Sequence, residues 1–337
     1  MRSSFVSEAF SPLIGERALL VDLRAAGAVD ALELQAAELW LRQLPCPSIA
    51  WIDSGLSDPL RFWSGGFDLV VAGEDELAPV LETIRGWPIA SLALVQLLRH
   101  GRTLDLHEAL VAESLVYSML QAGPEFAAWR SARREARQRT APLAPAVLCE
   151  RNDDTLEITL NRPQKHNAFS SEMRDGLCEA LHTALADPAI ERVVLRGAGA
   201  SFCSGGDLDE FGSFPDPATA HVIRSTRNPG RLLAALAERV RFDVHGACVG
   251  AGIELPAFAR RVVAAPSAFF QLPEVRMGLV PGAGGTASLP RRIGRQRCAW
   301  LALSAQRIDA RTALGWGLVD ELAPETEGAA RRYVSNR

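Results

Sequence analysis

Apolar and polar residues alternate through residues 155–160, the period of a half-buried strand, and Asn161-Arg162-Pro163 closes the run. Met173, Leu177, Leu181 and Leu185 then recur at helical spacing, which predicts a helix over 171–186 capped by Ser170 or Ser171 and stopped by Asp187-Pro188. Short apolar runs at 192–196, 240–244 and 261–265 read as buried strands, with a helix over 231–237 between them. Strands alternating with helices predict an α/β architecture with parallel pairing. The first part of the chain has the same grammar. Residues 18–23, 48–52 and 67–72 are strand-like, and 104–120 is helical, with Asp105 favourable in its first turn.

The character of the chain changes near residue 140. Residues 130–139 hold five arginines, and a Pro/Ala-rich stretch follows at 140–146. A solvated helix face leading into a linker accounts for both, although the arginines would also suit a phosphate. This divides the chain into a smaller α/β region, 1–140, and a second unit, 141–337. Segments 47–55 and 67–72 parallel segments 241–246 and 260–265, so the first region is either a degenerate copy of part of the second or a chance likeness.

Composition narrows the function. A 337-residue chain that is 48% hydrophobic and 23% charged suits one large or two ordinary globular domains. A net charge of −4 gives no reason to expect nucleic acid. No apolar run approaches the roughly 20 residues that cross a bilayer, so no membrane partner is expected. The first residues lack the apolar stretch of a signal peptide, and a cytoplasmic location follows as the expectation. The six cysteines are scattered without a CxxC pair, which predicts buried free thiols rather than a zinc site; no metal is expected.

The candidate chemistry lies between residues 201 and 286, where three glycine-rich segments each carry an acid. They are Phe202-Cys-Ser-Gly-Gly-Asp207, Gly250-Ala-Gly-Ile-Glu254, and Pro273-Glu274 followed by Pro281-Gly-Ala-Gly-Gly-Thr286. Small residues let a ligand approach backbone N–H groups, and carboxylates beside it can move protons. Together they suggest an enzyme that stabilises a developing oxyanion. Taken singly, each segment also has a plain reading, as an ordinary loop, a helix–strand crossing or a solvated glutamate. The phosphate-loop pattern GxxxxGK[ST] is absent, which disfavours nucleoside triphosphates.

In order and spacing, five segments resemble the crotonase superfamily, which includes the enoyl-CoA hydratases and isomerases. They are Asn161-Arg-Pro-Gln-Lys-His-Asn-Ala168, Phe202–Leu208, His245–Leu255, Phe270–Thr286 and Ala310–Asp320, within residues 147–323. The resemblance implies a crotonase-like spiral of ββα repeats that binds acyl-CoA thioesters, preceded here by the smaller α/β N-terminal unit. It places the oxyanion-hole amides on Gly206 and Ala251, and the two catalytic acids on Glu254 and Glu274. It places CoA contacts on Lys165, Asn167, Ala168, Ser204, Gly205, Asp207 and Leu208. It implies no cofactor beyond the CoA moiety of the substrate, and a homo-oligomer, trimer or hexamer. Hydration of a 2-enoyl-CoA to a 3-hydroxyacyl-CoA is the leading expectation. Double-bond isomerisation, hydrolysis or decarboxylation of an acyl-CoA, and a non-catalytic acyl-CoA-binding subunit, are the alternatives. Relatives continue past the segment matching 316–320 with helices that cover the active site, and little sequence remains here for them. Residues 88–99 and 104–129 look similar to those helices, so the N-terminal region is expected to replace the missing cover.

Overall fold

The computed structural model describes residues 7–24, 31–52, 63–133, 144–213 and 216–324. The chain begins with β1 (Leu19–Asp22), α1 (Ala31–Gln43), β2 (Ser48–Trp51) and β3 (Leu69–Val71), which form a parallel sheet in the order β1-β2-β3. Four helices follow: α2 (Glu74–Gly86), α3 (Pro88–His100), α4 (Leu106–Gln121) and α5 (Pro124–Ser131). Of the arginine run at 130–139 and the linker expected at 140–146, residues 134–143 lie outside the described residues; Arg130 and Arg133 are exposed, whereas Ala146 at the end of the linker is buried.

The second part opens with the hairpin β4 (Val147–Asn152) and β5 (Thr155–Leu160), then α6 (Ser171–Ala186), β6 (Arg192–Gly197), α7 (Pro217–Thr226) and α8 (Pro229–Ala235). It continues through β7 (Val240–Val244), β8 (Ala247–Val249), the single turn α9 (Ala251–Glu254), β9 (Arg261–Ala264) and β10 (Phe269–Gln271). It ends with α10 (Gly285–Ile293), α11 (Arg295–Ser304), β11 (Ile308–Asp309), α12 (Ala310–Trp316) and β12 (Glu321–Leu322). The large sheet runs β12-β9-β7-β6-β5-β4, parallel except for the β4–β5 hairpin. A second, small sheet runs β11-β10-β8. After β6, β7 and β9 the chain leaves the large sheet and makes a short second strand. These are Cys203, which bridges Cys248 in parallel, then β8, then β10. Each repeat therefore stacks its second strand on that of the repeat before it, and this sets the glycine-rich loops side by side.

The predicted elements exist, with shifted ends. Helix α6 is capped by Ser170, whose Oγ accepts from the Met173 amide at 3.2 Å. Met173, Leu177 and Leu181 are fully buried, but Leu185 is exposed and Ala184 closes the stripe instead. The helix expected over 231–237 starts at Pro229, because Asn228 accepts from the Arg231 amide and Pro229 suits the first turn. Asp105 is the N-cap of α4 rather than a first-turn residue, and forms a capping box with Glu108. Cys149 is exposed, and the other five cysteines are buried free thiols.

The N-terminal region packs directly on the second unit. One continuous hydrophobic core runs from Ile49 through α2, α3 and α4 to Val319. Buried Asp68 (1% exposed) joins Arg99 at 2.6 Å and Arg295 of α11 at 2.9 Å. Among the described residues, no helix is long and apolar enough to cross a membrane.

Candidate active site

The loop after β6 and the loop after β8 touch. Cys203 donates to the Ala247 carbonyl at 3.1 Å and accepts from the Val249 amide at 2.9 Å, so residues 203–206 lie along 247–251. Gly250 takes φ +52°, where a side chain is strained, and a Cβ there would collide with the Glu274 carboxylate. This conformation sends the chain into α9 with the Ala251 amide leading. Among the described residues neither the Gly206 nor the Ala251 N–H donates a hydrogen bond, and both residues line the same cavity.

That cavity, about 160 Å³, also takes Glu254 and Glu274 into its wall. Glu254 is 2% exposed, and its Oε2 accepts from the Ala283 amide at 2.7 Å and the Gly285 amide at 2.9 Å. Glu274 is partly exposed as a residue, yet its Oε2 is sealed from solvent and has no hydrogen-bond partner among the described residues. A buried, unpartnered carboxyl oxygen is costly unless a ligand or a proton occupies it. Burial pushes the Glu274 carboxyl up to about 8. Glu254 is pushed well above the usual carboxylate range by burial and by the nearby charges of Glu274 and Glu113, against the two amides that favour its anion. Two such acids do not both ionise easily near neutral pH.

Of the residues expected to contact CoA, Asp207 lines this cavity, and its carboxylate is paired with Arg162 at 2.8 Å and Lys165 at 3.3 Å. Lys165 also pairs with Asp209 at 2.8 Å. Asn167 is fully buried, and its side chain is committed to the Arg162 amide and to the Ala198 and Ser201 carbonyls. It holds the 162–169 loop in shape, with φ +53° of its own, and has no side-chain atom left for a ligand. Ala168, Ser204 and Gly205 belong to the two loops stitched together there, through Ser204 N–H to the His166 carbonyl and Phe169 N–H to the Gly205 carbonyl. Leu208 follows them and is half-buried. Lys165, Asn167, Ala168, Ser204, Gly205 and Leu208 do not line the cavity that holds the two acids.

Sequence reasoning expected residues 104–129 to help cover the site but named none of the residues that line it. Helix α4 supplies Leu110, Glu113, Ser114 and Tyr117, and α7 supplies Arg224. Glu113 is 3% exposed and sits in the buried stripe of α4 with Ala109 and Leu110. An acid at a core position of an apolar helix was the signal available. Glu113 Oε1 accepts from the Gly284 amide at 2.7 Å, and its Oε2 from the Thr286 amide at 2.8 Å and hydroxyl at 2.7 Å. Burial raises this carboxyl to about 7, with those donors pulling against the rise.

Residues 150–334 match the family profile of enoyl-CoA hydratase/isomerase. The chain belongs to this family. As a member of the enoyl-CoA hydratase/isomerase family, within the crotonase superfamily, it is similar to characterised and solved relatives over its second unit. It is 34% identical over 200 residues to 1,2-epoxyphenylacetyl-CoA isomerase of Escherichia coli, covering 57% of this chain and 76% of that protein. It is 40% identical over 173 residues to a probable enoyl-CoA hydratase of Rhodobacter capsulatus, covering 50% of this chain and 65% of that one. Among solved structures, an enoyl-CoA hydratase of Thermobifida fusca in complex with CoA matches at 28% identity and a TM-score of 0.50, covering 56% of this chain and 76% of that chain.

Proposed function

We propose that this family member hydrates a 2-enoyl-CoA to the 3-hydroxyacyl-CoA. The observation that carries the reading is one cavity lined by two undonated amides, on Gly206 and Ala251, and by two buried acids, Glu254 and Glu274. The thioester carbonyl accepts from both amides. As water adds to Cβ, negative charge grows on that oxygen, and each donor lowers the barrier by roughly 3 kcal/mol. Glu254, whose Oε2 already accepts from two amides, is suited to be the anion that takes the proton of the attacking water. Glu274, with its sealed Oε2, is suited to hold the proton delivered to Cα. The water oxygen bonds to Cβ, one proton moves to Glu254, and one moves from Glu274 to Cα. The Glu113 wall closes the cavity from the N-terminal side, which is why we propose that α4 acts as the cover of the site.

Double-bond isomerisation is the second reading, supported by the family, whose members include enoyl-CoA isomerases. The same enolate serves both reactions. Purified full-length protein incubated with but-2-enoyl-CoA and but-3-enoyl-CoA separates them by mass. Addition of one water supports hydration, a shifted double bond at constant mass supports isomerisation, and unchanged thioesters overturn both.

A further inference from the structure

The turn at residues 283–286 presents four successive amides, and two carboxylates divide them. Ala283 and Gly285 donate to Glu254, while Gly284 and Thr286 donate to Glu113. Glu254 reaches the turn from α9, and Glu113 reaches it from α4, more than 170 residues away in sequence, so the turn is gripped from both sides. Glu113 accepts from two backbone amides and the Thr286 hydroxyl, contacts that favour its anion against the burial that raises it. Gly285 admits no side chain, since a Cβ there would stand 2.5 Å from Glu254 Cγ, so the turn lies hard against that acid.

We propose that Glu113 is a positioning residue. Its carboxylate, when ionised, brings a negative charge from the N-terminal region to the 283–286 turn, pins that turn against Glu254 and makes the Glu254–Glu274 pair keep one proton between them. This rests on the hydratase reading for its catalytic meaning, but its physical content stands apart from turnover. The other ionisable groups facing the cluster do not replace that charge. Tyr117 on α4 and Cys298 on α11 are pushed upward by burial and stay neutral. Arg224 on α7 is the cation of the cluster. It donates to Ser114, Ser118 and Gln121 of α4 and makes no ion pair with a carboxylate among the described residues. Adding an anion beside two acids favours their protonated forms, so its removal lets them ionise at lower pH.

The test uses full-length protein with carbon-13-labelled glutamate carboxyls, titrated by NMR, with Glu254→Gln and Glu274→Gln giving the assignments. Glu113→Gln is expected to move the pair's titration roughly one pH unit lower. Glu113→Asp, whose carboxylate is drawn back toward α4, is expected to give a smaller move in the same direction. Where the first variant does not fold, the second decides. The pH limbs of kcat for hydration of but-2-enoyl-CoA are expected to shift in parallel, with KM little changed. A folded variant whose neighbouring carboxyls titrate as in the parent overturns the proposal, since a merely structural glutamate would lower Tm without moving them. A parent protein that leaves but-2-enoyl-CoA untouched overturns the hydratase reading alone, and the NMR titration still decides the role of Glu113.

Discussion

Glu254 and Glu274 differ in how their oxygens are held, and the proposed division of their work rests on that difference. Replacing Glu254 by glutamine keeps its size but puts an NH2 group against two backbone donors or removes the base. Replacing Glu274 removes the proton that the sealed oxygen is proposed to carry. Each change is expected to lower kcat by about 10²–10⁴-fold. Calorimetry with a non-reactive acyl-CoA should show binding close to that of the parent; full turnover in either variant would contradict the assignment. The same residues set a pH dependence of stability. Glu113 and Glu274 are raised to about 7 and about 8 from an ordinary 4.5. The folded protein therefore holds protons that the unfolded chain has lost, and stability falls as pH climbs from the ordinary carboxylate range through 8. Thermal melts across that range should show the decline, and Glu274→Gln should flatten it. Both acids proposed to act in the reaction were legible because each lies within or beside a glycine-rich loop with a recognisable spacing. Glu113 was not, because its partners are 171 and 173 residues away, and no local pattern encodes that distance.

The elements were legible where one face is buried and one is wet. Helix α6 shows it: its apolar stripe, its serine cap and its Asp187-Pro188 stop all agree. The short strands β8 and β10 were harder. Three residues each, they owe their form to stacking on the neighbouring repeat and not to any period of their own. Helix α4 is the element on which both expectation and structure place most. Its capping box orients the wall that carries Glu113 and Tyr117. Asp105→Ala should cost about 1 kcal/mol. A lowered Tm in differential scanning calorimetry would register it, and an unchanged Tm would show that tertiary packing alone fixes the helix start.

For the molecule as a whole, composition marked a change near residue 140, yet the packing joins what composition separates. The core is continuous across it, and the Asp68–Arg99–Arg295 cluster crosses it as well. Nothing in a linear pattern announces that Asp68 will meet Arg295, since each reads as an ordinary surface charge until the chain is folded. Asp68→Asn leaves two largely buried guanidinium groups without their anion and should cost about 3–5 kcal/mol, measurable by urea unfolding. Removal of residues 1–140 should expose the apolar faces of α10 and α11, giving aggregation in size-exclusion chromatography. A monodisperse, active 141–337 fragment would refute the view that the N-terminal region covers the site.

The two sides of the cavity come from widely separated stretches of one gene. The amides and acids proposed to act on the thioester all fall between residues 206 and 274, whereas Leu110, Ser114 and Tyr117 across from them come from α4. With Glu113 kept, substitutions at Leu110 and Tyr117 of that helix are therefore able to retune which acyl chains fit without changing the amides and acids themselves. Descendants of this architecture have a route to new preferences that does not put the reaction itself at risk.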